Sequence, residues 1–447
     1  MASTAEQMAR NMNFGAFQKA TELQKRIWFT LGALIVYRLG TYIPLPGIDA
    51  VALEELFKQN AGGLLGMFDM FTGGALSRMT IFALNIMPYI SASIIMQLMT
   101  AISPSLEQMK KEGESGRKKI NQYTRYLTVL ITVMQAYGIS VGLEAMSAGS
   151  GGVVTEGGWF FRFTTVVTLT GGTLFLMWLG EQITQRGVGN GISLIIFAGI
   201  VANLPSAMAG TLELGRTGAL STIFIIGLLV MAIAVVFLIV FMERAQRRII
   251  VQYPKRQQGN RMTGGESTHL PLKINTSGVI PPIFAGSILG LPVTILGFSA
   301  AGSGPEWVSM LSAWMGRGQP AYLIIYVVLI VFFAFFYTAV VFNPHDTAEN
   351  LKKHGGFVPG IRPGKNTAEY LDKVLTRLTV LGAAYLSAIC LLPEILMSRY
   401  AVPFYFGGTS LLIVVTVTMD TVAQIQSHML AHQYEGLIKK AKLRGRN

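Results

Sequence analysis

Charge is what this sequence has least of: Asp, Glu, Lys and Arg supply 13% of its 447 residues, about half the share found in an ordinary soluble domain. Water is therefore not its main solvent. Cysteine is nearly absent as well. Cys390 stands alone, which excludes disulfides and cysteine-built metal sites within the chain. His428 and His432 are four residues apart, but a metal centre wants a third ligand that the sequence does not bring near them. No nucleotide loop is present: Pro359 stands where a Walker motif needs glycine, and Asn366 where it needs Ser or Thr. The glycines at Gly187, Gly189 and Gly191 lack the spacing and the preceding strand of a dinucleotide fingerprint. The first 22 residues hold no apolar core followed by a small-residue cleavage site, so no removable signal peptide is expected and the first apolar run does the targeting.

Long apolar runs are what the chain does have, with 51% of its residues hydrophobic. A bilayer core needs roughly 20 mostly apolar residues per helix. About ten stretches of that kind occur, near residues 27–43 (interrupted by Arg38), 79–101, 127–143, 163–179, 192–208, 222–242, 278–298, 321–342, 378–392 and 405–419. Lys and Arg are sorted between alternate connections, 29 of the 36 falling on one side. Cytosolic loops carry that excess, which places both termini in the cytosol. Ionisable residues within the runs are few. Arg38, Glu181, Glu394 and Asp420 all fall near run ends and read as boundary charges, Arg38 snorkelling toward the exterior. An ion-coupled transporter would carry several deeper ones.

The expected fold is an all-α membrane protein. Ten spans divide into two sets of five, and an odd number per set inverts the second set relative to the first. The implied organisation is a cytosolic N-terminal segment at 1–26, a first half at 27–208, an exterior connection at 209–221, a second half at 222–428 and a basic tail at 429–447. Two cytosolic loops, 243–277 and 343–377, exceed what a helix connection needs. Their basic residues either mark topology and hold water or form a docking surface for something acidic, such as ribosomal RNA or a partner protein. Between the first two runs, the 62–74 segment is too short to span and has glycine pairs at both ends. It is either re-entrant, lining a cavity, or a helix lying flat at the interface. Isoleucines recur four apart at Ile86 and Ile90 and again at Ile192 and Ile196. Such pairs share a helix face, and they serve ordinary packing or an apolar constriction that excludes water by dewetting.

Several uncommon strings then occur together in one order. They are 43–49 (IPLPGID), 71–78 (FTGGALSR), 85–94 (NIMPYISASI), 111–117 (KEGESGR), 267–273 (STHLPLK), 357–364 (FVPGIRPG) and 403–410 (PFYFGGTS). Through them the chain resembles the SecY family, the central subunits of the bacterial protein-conducting channel, over nearly its whole length. The resemblance implies ten transmembrane helices in two inverted five-helix halves around an hourglass pore. It places Ile86, Ile90, Ile192, Ile196, Ile283 and Ile413 at the pore ring. The 62–74 segment becomes the plug, with Gly63, Leu64, Leu65, Met67, Phe68, Asp69, Met70 and Phe71 within it. The lateral gate is expected between the second and third spans on one side and the seventh and eighth on the other, with Ser91, Gln135 and Leu291 near the seam. Arg247, Arg248, Lys255, Arg256, Arg261, Lys352, Lys353 and above all Arg362 are the implied docking residues.

The implied partners are SecE and SecG in a heterotrimer, the SecA motor, the ribosome with its RNA, signal sequences, preproteins and membrane lipids, with SecDF and YidC beyond them. The implied location is the bacterial inner membrane. No cofactor and no catalysis are expected, so work comes from a bound ATPase, the ribosome or the proton-motive force. Asn260, where relatives commonly carry arginine, and His345, where arginine is common, depart from the family pattern and lower the local charge. A secondary transporter and an intramembrane enzyme are the rival readings; they would need a midplane solute site and a catalytic cluster respectively.

Overall fold

Where lipid replaces water, a backbone can satisfy its hydrogen bonds only within helices or closed barrels, and helices are what these apolar runs form. The structure is a computed structural model that describes residues 21–49, 51–53, 69, 72–150, 153–218, 221–254, 256–258, 261–263, 267–289, 319–400 and 408–444. In chain order it has α1 (Thr21–Gly40), α2 (Met87–Ile102), α3 (Pro104–Lys111), α4 (Glu114–Ser150), α5 (Trp159–Arg186), α6 (Gly191–Arg216) and α7 (Thr222–Arg244). Strands β1 (Gln246–Gln252), β2 (Arg256–Gln258), β3 (Arg261–Thr263) and β4 (Ser267–Lys273) follow. The chain continues as α8 (Ile280–Leu289), α9 (Pro320–Val341), α10 (Pro344–Lys353), α11 (Lys365–Tyr400) and α12 (Gly408–Arg444).

Among the described residues, seven helices are long and apolar enough to cross a membrane, and α2 with α3, bent by 99° at their junction, makes an eighth. Helices α1 and α8 stand where the first and seventh spans are expected. The first carries Lys25, Arg26 and Arg38, and the second is short. Length and apolarity thus count seven or eight spans, against the ten expected from the sequence. The expected fifth span also runs on: α6 continues through Pro205 to Arg216, so the connection before α7 is shorter than 209–221. Outward-facing apolar side chains fit a lipid solvent. On α7, Ile223, Ile226, Leu229, Val230, Ile233 and Phe237 are all exposed, a patch that water would not tolerate in a monomer.

Packing falls into two groups. Helices α2 and α4 pack together, α4 and α1 pack on α5, and α6 packs on α5 and α1; in the other group α9 packs on α11, and α7 and α11 pack on α12. The groups meet where α6 touches α7 and α12, and where α12 touches α1. Helix α8 lies between two cores, Phe284 joining the cluster around Ile86 and Ile196 while Ala285 and Leu289 join that around Tyr322 and Leu386. Close approach is set by glycine: a Cβ on Gly172 of α5 would stand 1.9 Å from the Ile81 carbonyl oxygen, so no side chain fits where α5 passes that turn.

The run expected at 79–101 becomes helical only at Met87. Residues 77–86 are turns apart from Thr80, which bridges to Pro44, with Met79 (φ 43°) and Asn85 (φ 50°) in the left-handed region. Pro88 suits the first helical turn, where its missing N–H has no partner to lose, and Asn85 tolerates left-handed backbone while its Oδ1 accepts from the Ile86 N–H at 2.9 Å. The apolar run is therefore half turn and half helix.

Past the end of α7 at Arg244, the described residues of the 243–277 loop are strands and non-helical connections. Strands β1 and β4 form an antiparallel ladder from Gln246 opposite Lys273 to Gln252 opposite Ser267, and β2 pairs with β3. Alternation along β1 buries Ile249 and Val251 and exposes Arg247 and Arg248. Ile249 and Leu272 pack with Val358, Leu371, Val374, Leu375 and Leu378, and Gln252 and Phe357 exchange two backbone hydrogen bonds of 2.9 Å. The two long basic loops are thereby one body around a small apolar core.

Candidate pore and its flanking cavities

Two helix starts set the geometry of the paired isoleucines. Ile86 is the N-cap of α2 and Ile90 lies one turn on, its N–H donating to the Ile86 carbonyl. Asn190 caps α6 by accepting from the Ile192 N–H at 3.1 Å, which puts Ile196 one turn further along. Ile283 belongs to α8 and Ile413 to α12. All six meet in one cluster: Ile86, Ile90, Ile196 and Ile413 are buried, and Ile192 and Ile283 are partly buried against them. Five of the six, Ile192 excepted, line a single apolar cavity of about 20 Å³ together with Asn85, Met87, Pro282, Gly286, Tyr326 and Thr409. One water needs roughly 10–15 Å³, so this space holds no continuous column of water.

On the side of the β1–β4 ladder lies a wider cavity of about 570 Å³ lined by Asn190, Ser193, Glu243, Lys273, Asn275, Thr276, Ser277, Asp420, Gln424 and Ser427. Its floor includes Val279, Ile280, Thr416 and Val417. One turn on from that floor along α6 and α8, and one turn back along α12, come Ile196, Ile283 and Ile413. Three helices thus pass in step from a polar vestibule to an apolar closure. The vestibule is tied together at its rim, where Asn275 Nδ2 donates to Glu243 Oε1 at 2.6 Å and to the Gly278 carbonyl at 3.1 Å.

Of the residues expected at the gate, Ser91 is buried on α2, and Gln135 is buried on α4 with its Oε1 unpartnered among the described residues. Leu291 lies outside the described residues. Between α8 and α2, Ser287 Oγ is 3.8 Å from Met87 Sδ, a contact with no counterpart in the sequence pattern.

Of the residues expected in the plug, Asp69 alone is described; Gly63, Leu64, Leu65, Met67, Phe68, Met70 and Phe71 lie outside the described residues. Asp69 Oδ1 accepts from the Ser77 N–H at 2.7 Å, and its carbonyl accepts from the Gly74 N–H at 3.0 Å. Burial pushes its carboxyl above the usual range, opposed by the Ser77 donors and the Arg78 charge. Arg38, expected as a boundary charge, is also tied to the chain itself. Its Nη1 donates to the Gly73 carbonyl at 2.8 Å and its Nη2 to Tyr42 OH at 3.0 Å. Such a bond to a carbonyl 35 residues away leaves no trace in side-chain patterning.

Arg247, Arg248, Lys352, Lys353 and Arg362 are exposed on the ladder body. Gly360 (φ 82°) and Gly364 (φ 106°) turn the loop around Arg362, whose carbonyl accepts from Thr367 Oγ1 at 2.9 Å. Lys353 also pairs with Glu349 at 3.1 Å. The backbones of Arg256 and Arg261 lie in β2 and β3, with their side chains outside the described residues, as are Lys255 and Asn260.

A family model for SecY matches residues 80–422, and the protein translocase subunit SecY of Escherichia coli K12 is 57% identical over 424 residues, covering 95% of this chain and 96% of that one. The chain belongs to the SecY family. Solved structures agree in fold. A protein-conducting channel superposes with a TM-score of 0.66 at 17% identity, covering 91% of this chain and 92% of that one. A SecY channel whose plug domain stabilises the closed state and maintains a membrane seal gives 0.64 at 18%, with 91% and 92% covered. SecY membership fits the mostly helical, multi-pass architecture.

Proposed function

We propose that this chain is the pore subunit of a protein translocation channel, passing unfolded preproteins across the bacterial inner membrane and releasing transmembrane segments sideways into lipid. The observation that carries the reading is the isoleucine cluster: five residues from α2, α6, α8 and α12 close on a cavity of about 20 Å³ at the floor of a polar vestibule. Isoleucine suits such a ring because its branched side chain yields around a passing chain and offers it no fixed hydrogen bond. Passage is then tolerant of sequence, and a dewetted ring still blocks ions.

The finer assignments follow from the family. The 62–74 segment is the plug; α2 with α4 and α8 with α9 border the lateral gate; the termini are cytosolic; and the halves at 27–208 and 222–428 are inverted repeats. A signal sequence acts by binding the open gate better than the closed one, since only differential affinity shifts an equilibrium. The chain catalyses nothing, and work is supplied from outside by SecA, the ribosome or the proton-motive force. SecE and SecG complete the complex, with SecDF and YidC as further partners. The exposed arginines and lysines of the ladder body receive SecA and ribosomal RNA, because a fixed cationic surface attracts acidic partners.

Reconstitution in liposomes with SecE and SecA tests this. Addition of ATP is expected to drive an unfolded preprotein into the lumen, where it becomes protease-resistant. Saturable uptake of one small solute without preprotein movement would instead establish a transporter.

A further inference from the structure

We propose that Arg38 and Tyr37 are positioning residues for the resting seal, holding the backbone at Thr72 and Gly73 where the 62–74 segment joins the turns that lead to α2. Two donors from consecutive residues of α1 take two consecutive carbonyls. Arg38 Nη1 donates to Gly73 O at 2.8 Å, and the hydroxyl of the fully buried Tyr37 donates to Thr72 O at 3.3 Å. Neighbouring side chains on a helix diverge by about 100°, so their convergence on adjacent carbonyls grips that backbone from two directions.

The far side is closed by α6. A Cβ on Gly73 would stand 3.1 Å from both the Cα and the carbonyl oxygen of Gly199, and Gly73 itself has φ 71°. Gly199 follows the ring residue Ile196 by less than one turn. The junction is therefore clamped between α1 and a helix that lines the closure.

The clamp is also pre-set. Arg38 Nη1 lies 3.4 Å from Thr41 Oγ1, and the Tyr42 ring has the Arg38 guanidinium 5.0 Å from its centre and that of Arg78 at 4.6 Å. On the other partner, Asp69 binds Gly74 and Ser77, which makes the held turn a rigid handle. Arginine keeps its charge at any working pH. A guanidinium–carbonyl bond is strong yet exchangeable for water, so its strength sets how readily the junction is released.

The inference rests on the plug reading, and the test separates the two. Proteoliposomes holding the complete channel are assayed for anion efflux at rest, with the deletion of 63–72 as reference. Deletion is expected to leak. Arg38→Gln is expected to raise resting efflux about tenfold, the loss of one charge-assisted hydrogen bond, while Arg38→Lys, which still reaches Gly73 O, restores the seal. Tyr37→Phe, which removes one hydroxyl and keeps the packing, is expected to leak by a smaller factor and guards against Arg38→Gln failing to assemble. A leaking deletion beside tight Arg38→Gln and Tyr37→Phe channels overturns the clamp alone. A tight deletion overturns the plug reading and the clamp with it.

Discussion

Ile86→Asn combined with Ile413→Asn raises the ion conductance of the resting channel in planar bilayers by about a hundredfold. Each isoleucine is 1% exposed, and burying such a side chain is worth about 1.5–3 kcal/mol. Asparagine removes that term and adds an amide that needs water as a partner. Water entering a space of about 20 Å³ ends the dewetting on which the barrier depends. Preproteins with defective signal sequences are expected to cross as well, because the closed state has lost stability relative to the open one. Unchanged conductance in an assembled double variant would mean that the cluster is ordinary packing.

Arg362→Glu lowers ATP-driven preprotein transport by about thirtyfold, the effect of reversing a charge at an interface hot spot. Arg362 is exposed on a loop turned by Gly360 and Gly364 and anchored to β1 through the Gln252–Phe357 exchange. The variant adds no burden to a core, so the complex assembles and its resting conductance stays at the parent level. Motor-driven transport is read in proteoliposomes, and thermal unfolding serves as the control for assembly. Full transport by a stably folded Arg362→Glu channel would remove this residue from the docking surface.

Apolar run length located the helices well, since in lipid nearly every spanning helix is apolar along its length. It failed where apolar residues adopt turns. Residues 79–86 read as helix by composition, yet left-handed backbone at Met79 and Asn85 keeps them non-helical until Pro88 permits α2 to begin. The ladder at 246–273 was illegible for a different reason: only Ile249 and Val251 alternate inward on β1, too short a pattern among basic residues to separate from a solvated loop. Isoleucine spacing put two pairs on helix faces, but the convergence of α8 and α12 on those pairs is tertiary, and Ile283 and Ile413 stand out only through the family strings. Arg38 was legible only in part. A charge near the end of an apolar run is usually a boundary marker, and its backbone partner at Gly73 is chemically anonymous in a sequence.

The passage of polypeptide through the isoleucine ring is tested most directly by site-specific crosslinking. A photoreactive side chain is placed in turn at Ile86, Ile283 and, as a reference, at Ile223 on the exposed face of α7, and a preprotein is stalled midway through transport. The stalled chain crosslinks to positions 86 and 283 and not to 223. Crosslinks at 223 with none at 86 or 283 would contradict a path through the ring.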